Sequence, residues 1–337
     1  MTILNMRVIV TRYGGPDVLR VVHEPLRPPE ADEVRIRVQC AGVALADVMR
    51  REGVYPSSPT PPFTPGYDVV GTVDEVGAGV LQFSRGDRVA AFFNGVGGYA
   101  SHVFANAHEL VAVPLQLDAA EAVATVLNYV TAYQMLHRIA RVRLGQSVLI
   151  HGASGGVGTA LLDLGRLLHL RMFGTASSVK HPTVARFGAL PIDYRSEDFV
   201  DVLHREAPDG IDAVFDPIGG PNWRRSLQTL SRDGQFVGYG YTSVLEGQDP
   251  GDWATDWGAF GSMGATERGN EVHMYSITAL KKDRPDWFQE DLRLLFSLLE
   301  QERIQPIVSQ RIPLRDAARA HASLEGSLSV GKIVLTA

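Results

Sequence analysis

The segment SVLIHGASGGVGTALLDLGRLL, residues 147–168, constrains the fold more than any other part of the chain. An apolar strand runs straight into small residues and then into a helical apolar period, so the backbone must turn sharply where Gly152, Gly155 and Gly158 stand three apart. At such a turn a phosphate can approach the main-chain N–H groups of a helix N-terminus, whose partial positive charge favours an anion, and bulky side chains would block the approach. A glycine string alone also fits any tight turn. A strand before it, a helix after it and further strands downstream point instead to a dinucleotide site. The segment therefore predicts cofactor contacts from Gly152, Ser154, Gly155, Gly156, Val157 and Gly158.

Around this motif, strands are predicted at Ser147–His151, Arg171–Ala176, Pro191–Tyr194, Ala213–Pro217 and Gln235–Tyr239. Helices are predicted between them at Gly156–Leu170, Val179–Phe187, Ser196–Glu206 and Asn222–Leu230. The alternation reads as a doubly wound parallel sheet with crossover helices. Residues 1–120 differ: short β-type runs such as Val34–Val38, Val69–Val76 and Arg88–Phe93 are punctuated by Gly and Pro, which reads as a mostly β unit. Tyr241–Asn270, rich in Gly, Asp and Trp, is too long for an ordinary connection and reads as a lid, a subunit contact or an excursion. Its Trp253, Trp257 and Phe260 suit either an acceptor pocket or a subunit contact. A helix over Pro285–Arg303 and a final strand close the chain.

The second predicted strand ends in Thr175-Ala176-Ser177-Ser178-Val179-Lys180. An NAD-specific site usually carries an acid there to hold the ribose 2′-hydroxyl. The hydroxyls of Ser177 and Ser178 with the Lys180 cation suit a 2′-phosphate instead, so NADPH is the expected cofactor, with Arg195 as a second phosphate contact. The competing reading makes Ser177 a helix N-cap and Lys180 a solvated surface residue. Tyr239, Gly240 and Tyr241 follow the fifth strand, outside the carboxyl ends where ligands gather.

Composition narrows the alternatives. With 337 residues two domains are expected, and a formal net charge of -6 gives no general attraction to nucleic acid or anionic membranes. The single cysteine, Cys40, excludes an intramolecular disulfide and a multi-cysteine zinc cage, and reads as a buried inert thiol. The ten histidines show no zincin spacing. The opening MTILNMRVIVTRYGG reads as a strand rather than a secretory leader, no uninterrupted apolar run reaches membrane-spanning length, and a cytoplasmic location is expected.

Several stretches taken together, PFTPGYDVVGTVDEVGAGV, FSRGDRV, NYVTAYQML, HGASGGVG, FDPIGG and the closing GKIVL, resemble the zinc-free quinone oxidoreductase branch of the medium-chain dehydrogenase/reductase superfamily. The resemblance covers nearly the whole chain and implies an α/β protein: a GroES-like β-barrel catalytic domain from residues 1–121 and 285–337, and a Rossmann NADPH-binding domain over 122–284. It also implies an active cleft between the domains and a homodimer or homotetramer, with a small molecule as substrate. Zinc alcohol dehydrogenases place a His-Glu pair after a Pro-Gly, whereas here Pro65-Gly66 precedes Tyr67-Asp68, so no metal is expected. Hydride transfer to a conjugated enone, enoyl ester or quinone stays open to such a chain, because the charge that develops can be held by hydrogen bonds.

The resemblance further implies that Tyr55 bonds the acceptor carbonyl or supplies a proton, that Asp47 stands near the cleft in a catalytic or structural role, and that Asn128, Tyr129 and Thr131 approach the nicotinamide end. Tyr55 reads equally as an edge-packing tyrosine, Thr131 as bonded back within its helix and Tyr129 as core. Ala44 departs from the Asn common in the family and cannot donate a hydrogen bond. That departure keeps two other readings open: a nucleotide-binding scaffold without turnover, and non-redox chemistry on the same fold.

Overall fold

In the computed structural model, which describes residues 4–247, 249–326 and 329–337, fifteen strands follow one another. They are β1 (Leu4–Val10), β2 (Leu19–Pro25), β3 (Glu33–Val43), β4 (Asp68–Val76), β5 (Arg88–Phe92), β6 (His102–Asn106), β7 (Val111–Ala112), β8 (Ser147–Ile150), β9 (Arg171–Ala176), β10 (Leu190–Asp193), β11 (Ile211–Asp216), β12 (Leu230–Gly238), β13 (Val272–Met274), β14 (Val308–Pro313) and β15 (Lys332–Thr336). The chain divides into two compact units, one running to Val130 and resuming at Pro285–Ala337, the other Thr131–Arg284. The division at Val130 falls inside a helical run, Ala119–Ile139, that includes two π-helical turns, Thr125–Tyr129 and Gln134–Ile139. No helix among the described residues is long and apolar enough to cross a membrane.

In the first unit the eleven-residue β3 is the spine. It pairs antiparallel with β4, with β6 and with β15, and the sheet continues in the order β14-β15-β3-β4-β5-β7. One strand serves three partners because its ladder shifts register at Arg35/Ile36 and Val38/Cys40, and such bulges bend a strand. Alternate residues of β3, namely Val34, Ile36 and Val38, are buried, as the period of two requires. They join Val69, Val73, Val89, Ile333 and Leu335 in one apolar core.

In the second unit all strand pairs are parallel and the order is β10-β9-β8-β11-β12-β13. Counted within the unit this is 3-2-1-4-5-6, the doubly wound order whose direction reverses between β8 and β11. The sequence-predicted strands recur within a few residues. The sixth, β13, is not predicted because three residues are too short to display an alternation.

Tyr241–Asn270 is not an excursion. It forms a short 3₁₀ turn, Thr242–Glu246, and a helix, Pro250–Met263, whose Trp253 and Phe260 are buried. Phe260 packs against the fully buried Trp223 at 4.9 Å between ring centroids, and Trp257 packs on the same indole at 6.1 Å. These rings attach the helix to its own unit; Trp253 and Phe260 are buried by the packing, while Trp257 is half-exposed.

Candidate active site

Three strands end at the glycine turn. Gly152 has φ +63°, a conformation that favours glycine, and the helix Gly156–Leu167 starts with no side chain capping its first turn. A Cβ at Gly158 would meet the Gly152 carbonyl oxygen at 2.3 Å and the Ala153 backbone at 2.7 Å. The turn therefore packs on its own helix, leaving first-turn amides for an anion. Beneath it, His151 ties the strand ends together: Nδ1 lies 3.1 Å from Thr175 Oγ1 on β9, and Nε2 lies 3.0 Å from Ser226 Oγ. Ser226 in turn donates to Asp216 Oδ2 on β11 at 2.7 Å. Burial holds the His151 imidazole below its usual pKa, against the opposing pull of Asp216, so it stays neutral.

At the end of β9, Ser177 is buried and extended and takes the N-cap position of the 3₁₀ turn Ser178–Lys180, but its side chain makes no capping hydrogen bond. Lys180 is half-buried. Burial first, and then the neighbouring Arg195 cation, lower its pKa, which places two positive groups beside each other. Ser178 and Arg195 are exposed. An acid does stand near them, one strand over: Asp193, whose pKa is lowered by the Arg195 amide and by the Ser196 and Ser178 hydroxyls. Sequence reasoning missed it because it searched the second strand alone.

After β12, Tyr239 is half-buried and its phenol is raised by burial, then by Asp216. Gly240 allows close approach to Pro217, whose carbonyl oxygen a Cβ would meet at 3.1 Å. Tyr241 corrects the expectation of a cofactor contact. Its ring is fully buried and stacked on Trp253 at 5.7 Å, and its hydroxyl donates to Asp256 at 2.6 Å, so the side chain belongs to the aromatic cluster. Asn128, Tyr129 and Thr131 are all buried in the helical run, the first two in the π-helical turn Thr125–Tyr129 and the first unit, Thr131 in the second.

In the first unit, Asp47 is a strut. It is fully buried at the third position of the helix Leu45–Glu52, where Oδ2 accepts from the Ala44 amide at 2.9 Å and from the Tyr99 hydroxyl at 3.2 Å, while Oδ1 accepts from the Gly66 amide at 3.1 Å. No atom is left for a substrate, so the catalytic role is withdrawn. The Tyr99 oxygen also lies 3.2 Å from His321 Nε2, and Arg51 Nη1 approaches His321 Nδ1 at 3.4 Å. Since Tyr99 gives its one proton to Asp47 and Arg51 can only donate, His321 carries its proton on Nε2 and is neutral. Burial and then Arg51 push its pKa down to about 3, and burial raises Asp47 to about 7.

These two groups pull stability in opposite directions. The neutral His321 contributes stability above its unfolded pKa that is lost as pH falls from about 6.5 towards 3. Asp47 contributes stability below about 3.8 that is lost as pH rises through about 7. Between pH 6.5 and 8 the loss from Asp47 exceeds the opposing gain as the unfolded His321 gives up its proton, so stability is expected to fall by about half a kcal/mol across that interval. In Asp47→Asn that decline should vanish, and the variant should be about 1–3 kcal/mol less stable at pH 6.5 because an amide N–H would face the Gly66 donor. Thermal unfolding at the two pH values measures both; an unchanged slope refutes the assignment.

Tyr55 is half-buried and the guanidinium of Arg50 lies over its ring, 4.2 Å from the centroid. Sequence reasoning passed over Arg50, Tyr99 and His321. Two adjacent arginines on a short helix look like a solvated face, and His321 lies 270 residues from the Arg51 it meets. Cys40 is buried, its thiol raised to about 11 by burial.

Two family models match: the alcohol dehydrogenase GroES-like domain over residues 30–115 and the zinc-binding dehydrogenase over 187–335. The chain is 32% identical to the quinone oxidoreductase of Rattus norvegicus over 98% of its own length and 97% of that protein's. It belongs to the quinone oxidoreductase branch of the medium-chain dehydrogenase/reductase superfamily. Within this branch it is also 32% identical to the synaptic vesicle membrane protein VAT-1 homolog of Rattus norvegicus, over 97% of the chain and 83% of the relative. The Escherichia coli quinone oxidoreductase complexed with NADPH superposes with a TM-score of 0.85 at 27% identity, covering 98% of this chain and 100% of that one. The first unit carries the GroES-like domain and the second the Rossmann-like sheet of this family.

One of the matched models is named for zinc, and the residues after Pro65-Gly66 have other partners here. After Pro65-Gly66, the Tyr67 hydroxyl accepts from Arg50, and the buried Asp68 carboxylate faces the Lys332 ammonium at 3.5 Å and the Leu127 amide at 3.3 Å. Among the described residues no three His, Cys, Asp or Glu side chains are placed to share an ion.

Proposed function

We propose that this quinone oxidoreductase relative reduces a conjugated carbonyl, an enone, enoyl ester or quinone, with NADPH and without zinc, as a cytoplasmic enzyme that pairs with a second copy of itself. The single observation that carries the reading is the uncapped helix start at Gly156 behind a turn whose own backbone fills the space a side chain would need at Gly158. The cofactor fits that cradle: Gly152, Ser154, Gly155, Gly156, Val157 and Gly158 would hold its pyrophosphate, and Ser177, Ser178, Lys180 and Arg195 its 2′-phosphate. The relative from Escherichia coli, complexed with NADPH, supports the same choice. When bound, the cofactor supplies a hydride.

The protein's part is to orient the acceptor, exclude water and hold the charge that builds on the acceptor oxygen. Tyr55 is the candidate donor to that oxygen. With a buried Asp68–Lys332 pair and a Tyr67–Arg50 contact after Pro65-Gly66, charge stabilisation falls to hydrogen bonds and fixed cations.

Titrating the purified chain with NADPH, followed by fluorescence, and then assaying enones, quinones and enoyl thioesters tests the reading. Turnover should give products heavier by two hydrogens. No binding at saturating NADPH refutes it, and binding without turnover on any acceptor favours the scaffold. Lys180→Ala is expected to weaken NADPH about 10- to 100-fold, the worth of one charge-assisted contact, and to leave NADH within about threefold. Equal losses for both nucleotides would remove Lys180 from the 2′-phosphate site.

A further inference from the structure

Arg50 and Arg51 are neighbours on one helix and are treated oppositely by the fold. Arg51 is fully buried and meets two carboxylates, Glu52 at 2.7 Å and Glu325. Arg50, only 7% exposed, meets none among the described residues. Its Nε and Nη2 donate to the Tyr67 hydroxyl at 3.3 Å each, and Nη2 reaches the Asn94 carbonyl at 3.4 Å. Its guanidinium carbon lies 4.2 Å from the Tyr55 ring centroid and 5.6 Å from that of Tyr67. Every one of these partners is a dipole or a ring face, so the cation is held in place without being neutralised. A buried charge is normally returned a counter-charge, because taking it out of water is costly.

Backbone also packs closely against the guanidinium. At Gly95, φ +95°, a Cβ would meet Arg50 Nε at 2.6 Å and Tyr67 Cζ at 2.8 Å, so the backbone passes where no side chain fits. The Tyr67 phenol, buried, has its pKa raised well above the ordinary value, chiefly by desolvation, and stays neutral. No described carboxylate lies against the Arg50 guanidinium where it stacks on Tyr55, the tyrosine proposed above for the acceptor.

We propose that Arg50 is a catalytic residue, whose guanidinium, fixed by Tyr67 and stacked on Tyr55, receives the acceptor's carbonyl oxygen as that oxygen becomes anionic. The proposal rests on the reading of this chain as a reductase of conjugated carbonyls. As hydride arrives with its electron pair at the β-carbon, the C=C pair moves to form a double bond between the α-carbon and the carbonyl carbon. The C=O π pair then moves onto oxygen, which gains one negative charge. A proton taken up at the α-carbon, or at oxygen for a quinone, discharges it. The cation is in place before the charge appears, so no reorganisation is needed when it does.

The test uses two readouts. 4-Nitrophenol, whose phenolate resembles an enolate and absorbs in the visible, is titrated with pH in the presence of excess protein. The wild type is expected to lower its apparent pKa by about one unit or more, Arg50→Met to abolish the shift, and Arg50→Lys to keep part of it. In turnover, Arg50→Met is expected to lower kcat about 100-fold while the dissociation constant for NADPH stays within twofold. A wild-type protein that does not shift the phenol, or an Arg50→Met variant that keeps both the shift and kcat, overturns the proposal. Should Arg50→Met misfold, the wild-type titration and Arg50→Lys still decide it. Should the wild type shift the phenol through Arg50 yet reduce no acceptor, the reductase reading fails and the anion site stands.

Discussion

Alanine at position 158 is expected to raise the dissociation constant for NADPH about 100-fold or more, a loss of roughly 3 kcal/mol. The added methyl would meet the Gly152 carbonyl oxygen at 2.3 Å and the Ala153 backbone at 2.7 Å, and main-chain atoms cannot swing aside as a long side chain can. The helix would have to retreat from the turn, carrying away the first-turn amides that face a phosphate. Fluorescence titration measures the affinity, and far-ultraviolet circular dichroism checks that Gly158→Ala still folds. Affinity within threefold of the wild type would show that the pyrophosphate does not rest on this turn.

Trp223→Ala should be the most destabilising single change in the second unit, by about 3–5 kcal/mol, the usual cost of emptying a fully buried aromatic site. The indole is 0% exposed and packs on Phe236, Tyr241, Trp257 and Phe260 at 6.1, 5.4, 6.1 and 4.9 Å, while Nε1 donates to the Asp216 carbonyl at 3.4 Å. Its loss would unseat the helix Pro250–Met263 and leave a cavity between helix and sheet. Val179→Ala, at a side chain 82% exposed, should stay within about 0.5 kcal/mol as a control. Urea unfolding compares the two, and similar midpoints would mean that the aromatic cluster does not anchor the helix.

The nucleotide-binding half was legible because its signals are local. β9 spans Arg171–Ala176, as predicted, and the helix behind the glycine turn begins at Gly156, as predicted, since strand, turn and helix periods are each written within a few neighbouring residues. β13 and the helix Pro250–Met263 were not legible. Three residues carry no readable period, and a helix rich in glycine and alanine resembles a loop until Trp257 and Phe260 are seen to share one buried neighbour, Trp223.

The roles of charged residues divided the same way. Residue type alone marked Ser177, Ser178, Lys180 and Arg195 as a group for a 2′-phosphate, because they lie at the ends of two strands that the alternation places side by side. It could not separate Arg50 from Arg51, or tell that Asp47 is a strut. Those outcomes depend on which distant segments are brought together: Arg51 meets Glu325 across 274 residues, and Lys332 meets Asp68 because β15 and β4 both pair with β3. By itself the sequence determined the alternation of strands and helices, the glycine turn between β8 and its helix, and the family, since each is encoded by neighbours along the chain. Tertiary structure decided which buried charges found a counter-charge and which one was left unneutralised beside a tyrosine, since that balance is set by contacts between elements and by burial, neither of which has a period to read.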